Sequence, residues 1–257
     1  MTPAEGIILG IIQGLTEFLP ISSSGHLALA EIFGLVSQGD TQGNIAFFLV
    51  LHTGTLCAVI LYMRRDITDI LLRKRSLLVP LFISTALTGA VAIPLEKYIE
   101  KSFESVIIIG TGLLFTAGII AAGEYIHRRR HLNISSVSVR TSAVIGLLQG
   151  IAPFPGVSRS GTTISAGCLC GLDRTTSAEY SFLLAIPAIT AACIFKIDQV
   201  TTLQEPVSAA AGFIASFVSG YCAIALLIKI IKTRYFIYFA LYTAVFGSCL
   251  VIYGVSR

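Results

Sequence analysis

A carboxylate, three serines and an imidazole crowd into residues 17–26, and a guanidinium stands in a second serine-rich stretch half a chain away. Glu17 follows Gln13 by four positions, so the two side chains share one face of a helix. Ser22, Ser23 and Ser24 come next, then Gly25 and His26. A serine beside a carboxylate and an imidazole has the makings of a nucleophile with its general base, and an imidazole can also attack on its own account. The second stretch reads Pro155-Gly156-Val157-Ser158-Arg159-Ser160-Gly161-Thr162-Thr163. A guanidinium matches phosphate oxygens two at a time. Ser158, Ser160 and Thr163 add hydroxyls, and the glycines let the backbone come close to a ligand. Plainer roles exist for each group. Glu17 and Arg159 can form a structural ion pair, the serines can cap helices, and His26 can be a satisfied hydrogen-bonding residue.

The two stretches are copies. Residues 13–25 and 149–161 align without a gap at an offset of 136, with 6 of 13 positions identical and Leu15/Ile151 and Ile21/Val157 conservatively exchanged. Each copy is an apolar run broken by proline, then serine and glycine, then a second apolar run. Such internal repetition outranks every other organisational signal.

The elements that must position these residues are membrane helices. The chain has 257 residues, 54% hydrophobic and 12% charged. A soluble domain carries about 25% charged residues, so this composition cannot cover a water-facing surface. Lys and Arg sit in short clusters between apolar spans and not on one basic face, which argues against a nucleic-acid partner. The six cysteines (57, 168, 170, 193, 222 and 249) lie in apolar stretches without zinc-ligand spacing and read as small membrane-embedded side chains. The start lacks the basic segment of a cleavable signal.

Residues 3–19 and 27–36 are each too short to cross a bilayer, which takes about 20 residues. They read as a re-entrant hairpin broken at Pro20, with residues 37–44 as a polar surface loop. Spans follow at about 45–63, 77–95 and 105–125. A second hairpin, 141–152 and 161–172, broken at Pro153 and Pro155, leads to spans at about 178–196, 207–228 and 235–254. Three crossings separate the hairpins, so the second half is upside down relative to the first. The expected fold is an all-α integral membrane protein, one membrane domain over 1–257, with about six transmembrane helices and two re-entrant helix–loop–helix hairpins in an inverted-topology repeat (about 1–127 and 138–257). This topology puts 13 Lys and Arg on one face and 4 on the face of the N-terminus, with Arg159 in the loop. The positive-inside rule then places both termini and the mouth of the first hairpin outside a plasma membrane.

Other polar residues read more plainly. His52 caps or lines the site. His127 and His131 flank the Arg128–Arg130 cluster as interface residues. Glu124 and Glu179 lie near span ends, where ion pairing or snorkelling accounts for them.

The motifs Gln13-Gly-Leu-Thr-Glu17, Pro20-Ile-Ser-Ser-Ser-Gly-His26 and Pro155-Gly-Val-Ser-Arg-Ser-Gly161 resemble those of the undecaprenyl-diphosphate phosphatases of the bacitracin-resistance type, and the span pattern matches along essentially the whole chain. The resemblance implies a membrane hydrolase that converts a C55 polyprenyl diphosphate to the monophosphate, recycling the lipid carrier of cell-wall synthesis and conferring resistance to bacitracin. It implies a divalent cation, Mg²⁺ or Ca²⁺, at Glu17 alone or with Gln13. Ser23 or His26 takes the nucleophile position and Arg159 the diphosphate clamp. Gln13, Ser22, Ser24, Ser158, Ser160 and Thr163 fall to substrate binding. Partners are the lipid and the bilayer, with a homodimer among the open assemblies. Many members carry Glu where this chain has Gln13, so one negative charge fewer is available here. A second reading comes from architecture alone. Inverted repeats with broken helices build secondary transporters, so a carrier or flippase for an anionic polyprenyl phosphate lipid is the alternative. Such a carrier needs Arg159 but has no use for a histidine beside serines.

Overall fold

The computed structural model describes residues 1–34, 41–130, 134–196 and 205–256. Thr2 opens the first helix with a capping box: its hydroxyl accepts from Glu5 N at 3.3 Å, and its own N–H donates to Glu5 Oε2 at 2.6 Å. Helix α1 (Pro3–Phe18) stops just before Pro20, and α2 (Ser23–Ile32) turns back. The second hairpin is α7 (Val139–Gln149) and α8 (Arg159–Leu169). The hairpin helices, of 16, 10, 11 and 11 residues, rise about 15–24 Å, short of the hydrocarbon core of about 30 Å. Each half therefore begins with a hairpin that enters the membrane without crossing it.

The six expected spans are all present. They are α3 (Thr41–Tyr62), α5 (Leu78–Ser102), α6 (Val106–Arg130), α9 (Arg174–Phe195), α10 (Pro206–Ile231) and α11 (Ile237–Val255). Among the described residues no strand forms; an isolated bridge joins Ile134 and Leu172. The polar segment expected as a loop over 37–44 lies outside the described residues up to Asp40, and Thr41–Asn44 begin α3 instead. One helix was not foreseen. After Tyr62 the chain bends by 65° into α4 (Arg64–Leu72), a short amphipathic helix with Ile70 buried and Leu71 and Leu72 exposed. Phe82, Val207, Ile214, Leu241, Val245 and Ile252 lie exposed on the spans, as lipid-facing surfaces require.

Packing exchanges between the halves. Helix α1 lies along α10, where a Cβ on Gly6, Gly10 or Gly14 would strike Ser208, Gly212 and Ser219 at 2.0–2.4 Å. Helix α7 lies along α5, where Gly146 and Gly150, the duplicated partners of Gly10 and Gly14, meet Ser84 and Val91. Small residues at i, i+4 let membrane helices pack backbone to backbone. On the repeat axis α6 faces α11 through Gly110 and Gly247, each against the other's carbonyl oxygen. The two halves are thus interlocked, and each hairpin is held by the other half. Away from that axis, buried Glu124 accepts from Arg128 Nε at 2.6 Å and pairs with Arg174, the ion-pairing role its position suggested. All six cysteines are free.

Candidate active site

The interlock brings the two hairpin tips into contact. Ser160 Oγ donates to Leu19 O at 3.1 Å. A Cβ on Gly25 would lie 3.0 Å from Gly156 N, and one on Gly161 would lie 3.1 Å from the Pro20 Cβ. Ser22 and Ser158 cap the half-helices, accepting from Gly25 N at 3.3 Å and Gly161 N at 3.1 Å. Two backbones at the tips are unusual. Ser22 has φ +71°, which costs a residue with a side chain about 1–3 kcal/mol and is kept where the surroundings enforce it. Gly156 has φ +90°, and an added Cβ would sit 2.1 Å from Ile109 O. Gly156→Ala is therefore expected to cost about 3 kcal/mol or more, read as a lowered melting temperature in detergent.

Glu17 is the hub. It is buried, and Arg159 Nη2 donates to its Oε1 at 3.0 Å. Its Oε2 accepts from Ser23 Oγ at 2.7 Å and from Gln13 Nε2 at 3.1 Å, and lies 3.9 Å from His52 Nε2. Arg159 also donates to Ser181 O at 3.1 Å and stands 5.9 Å from the Phe18 ring centre. In a low-dielectric interior such a charge pair is strong only when it is supported by further hydrogen bonds, and here Ser23, Gln13 and Ser181 O supply them. The His52 ring is aimed by Nδ1, which donates to Phe48 O at 2.8 Å. His26 sits one helical step beyond Ser23. Its Nδ1 donates to Ser22 O at 2.7 Å, which leaves Nε2 of the neutral ring to accept from Tyr242 Oη at 2.8 Å.

Gln13, Glu17, Ser23 and Arg159 thus form one connected group, with His52 at its edge. His26 is adjacent but engaged at both ring nitrogens. Ser22 and Ser24 contact each other through their hydroxyls at 3.3 Å. The hydroxyls of Ser158, Ser160 and Thr163 are buried and used within the fold: Ser158 and Ser160 as above, and Thr163 on Arg159 O at 2.9 Å and beside Ser181 Oγ at 2.6 Å. They brace the arginine. Sequence reasoning missed Ser181 and Tyr242. Ser181 acts on Arg159 through its carbonyl, which no residue type announces. Tyr242 lies 216 positions from its partner His26 in an ordinary apolar span.

An interlocked inverted repeat whose two broken helices press a carboxylate–serine pair against a guanidinium defines a polytopic membrane protein with a buried, charged and hydroxyl-bearing centre. A family model described as "Bacitracin resistance protein BacA" matches residues 6–249. Relatives named undecaprenyl-diphosphatase include one from Treponema denticola, 39% identical with 98% of each chain covered, and one from Methanosphaera stadtmanae, 37% identical with the same coverage. Another of that name, from Bacteroides thetaiotaomicron, is 35% identical over 98% of this chain and 99% of its own. This chain belongs to the BacA family.

Proposed function

We propose that this protein is a membrane phosphatase that hydrolyses undecaprenyl diphosphate to the monophosphate and inorganic phosphate, returning the carrier lipid to cell-wall synthesis and thereby protecting against bacitracin. The observation that carries the reading is Ser23 Oγ donating to Glu17 Oε2 at 2.7 Å, on the carboxylate that Arg159 holds from the other side. A carrier protein has no need of a hydroxyl hydrogen-bonded to an orienting carboxylate.

The hydrogen bond supports Ser23 as nucleophile with Glu17 as base. Ser23 Oγ attacks the terminal phosphorus and its proton passes to Glu17. The bond to the bridging oxygen breaks, releasing the prenyl monophosphate. Water then attacks the phosphoserine: Glu17 returns its proton to the departing Ser23 Oγ, takes one from the water, and releases it to solvent. Arg159 and the starts of α2 and α8 face the charge on the transferring group, the main source of catalysis in phosphoryl transfer. His26, held by Ser22 O and Tyr242, orients the start of α2. The positive-inside balance supports a mouth open to the outside of the plasma membrane.

A divalent cation fits this site. Hard cations take oxygen donors, often one or two carboxylates with the rest from phosphates and water. Glu17 supplies a carboxylate, and Gln13 Oε1 is a buried oxygen without a partner among the described residues. No group of three His, Cys, Asp or Glu gathers as a cage among those residues. When bound, the cation neutralises diphosphate charge. Phosphate release from farnesyl diphosphate by the purified protein in detergent tests the function, since no transport occurs there. Chelation by EDTA should lower that release at least tenfold, with recovery on adding Mg²⁺ or Ca²⁺. A folded wild type that releases no phosphate would favour the carrier.

A further inference from the structure

The substrate of such an enzyme has two unlike parts, and the site has two unlike ends. At one end, on α3 and α9, stand half-buried His52 and Cys193 with exposed Thr53, whose Oγ1 lies 3.8 Å from Cys193 Sγ. At the other end, on α11, His26 meets two aromatic rings. Tyr242 lies nearly parallel to the imidazole with centres 6.0 Å apart, Phe246 stands 5.5 Å from it, and the two rings are 5.7 Å from each other. Tyr242 is 43% exposed although it lies within a span, so its outer face looks into lipid. It is five residues inside α11, or about 8 Å along the helix, within the depth of the hydrocarbon. Tyr242 therefore touches the site through its hydroxyl and the bilayer through its ring.

We propose that Tyr242, backed by Phe246, receives the first isoprene units of the substrate as the chain leaves the site sideways between α2 and α11. The inference rests on the prenyl-diphosphatase reading and adds where the tail goes. A prenyl chain gains no hydrophobic energy on moving from lipid to a protein groove, since both are apolar. Recognition must come from shape, and flat unsaturated isoprene units suit aromatic faces. Pairs of aromatic rings are worth about 0.5–1.5 kcal/mol, a factor of about 2–12 in affinity, and this sets the scale for an isoprene unit stacked on Tyr242. Tyr242 is thus a specificity residue for chain length, and its hydroxyl also positions His26.

The test compares phosphate release from dimethylallyl (C5) and farnesyl (C15) diphosphates by the full-length protein in detergent. Tyr242→Ala should lower the C15-to-C5 ratio of kcat/KM about fivefold, through KM. Tyr242→Phe keeps the ring and should hold the ratio within about twofold, while any loss of His26 positioning appears equally on both substrates. An unchanged ratio in Tyr242→Ala, or an equal loss on both substrates, would overturn the proposal. A farnesyl diphosphate analogue with a diazirine on its second isoprene unit gives a reading on the wild type, independent of how the variants fold. Labelling of α11 around residues 242–246 is expected, and labelling around Thr53 and Cys193 instead would also overturn it. A wild type inert on both diphosphates would mark failure of the enzymatic reading itself.

Discussion

Arg159→Ala is expected to lower phosphate release by about three orders of magnitude and also to destabilise the protein, and the two losses should separate in a double variant. The activity loss follows from the role: one well-placed donor to a developing charge is worth about 10²–10³, and an arginine at a transferring phosphoryl group up to about 10⁵. The stability loss follows from burial. Removing Arg159 strands Glu17, whose Oε1 it engages at 3.0 Å, and an unpaired buried charge costs about 3–5 kcal/mol. Glu17→Gln in the same chain removes that charge, so the double variant should recover most of the lost melting temperature while activity stays down. Arg159→Lys keeps the charge but cannot reach Glu17 and Ser181 O together as the fork does, and should fall between, with a loss of about 10². Measured together, kcat/KM and thermal melting decide the matter. If Arg159→Ala melted lower but kept wild-type activity, the arginine would be a strut, and the phosphate clamp would have to be sought elsewhere.

Most of this architecture could be read from residue types because a membrane leaves few choices. Apolar runs long enough to cross, and two pairs of runs too short to, give the six spans and two hairpins, and the duplicated motif says which loops meet. Helix α4 escaped because Arg64-Arg65-Asp66 reads as the end of a span, and only the 65° bend shows that a second helix follows. The fate of the hydroxyls escaped as well. Ser158, Ser160 and Thr163 carry the residue types of a phosphate cradle, yet the structure uses their hydroxyls to cap α8, tie the tips together and brace Arg159. Donor chemistry was legible, but donor availability depends on neighbours such as Leu19 and Ser181 that lie far away in the chain.

The duplication also explains how a symmetric scaffold yields an asymmetric site. Ser23 and Arg159 occupy the same position of the two copies, each the first residue of the helix after its break. Glu17 is matched by Pro153 and His26 by Thr162. One copy carries the Ser23–Glu17 pair, while the other supplies the guanidinium of Arg159. Where the copies still agree, at Gln13 and Gln149, the roles have parted. Gln13 Nε2 serves Glu17, whereas Gln149 Nε2 donates to Thr88 Oγ1 at 2.9 Å between α5 and α7. The pseudo-twofold arrangement brings together two helix starts that any anion would favour, and the differences at Glu17/Pro153, Ser23/Arg159 and His26/Thr162 make its two sides chemically unlike.

Ser23→Ala is expected to reduce turnover by about 10³–10⁴ and to abolish a covalent intermediate, whereas His26→Gln should leave that intermediate detectable. The distinction rests on chemistry that survives quenching. Phosphoserine is stable in acid and phosphohistidine is not, so wild-type protein mixed briefly with terminally ³²P-labelled prenyl diphosphate and quenched in acid should retain label at Ser23. Residual activity without the hydroxyl is expected because positioning and charge stabilisation remain. The companion variant sharpens the test. If Glu17 acts by taking the Ser23 proton, Glu17→Gln costs much alone and little more once Ser23 is already alanine, as for residues that act as a unit. Were the two losses to multiply, Glu17 would be acting on a step that does not involve Ser23, such as activating water directly, and the covalent route would fail along with the acid-stable label.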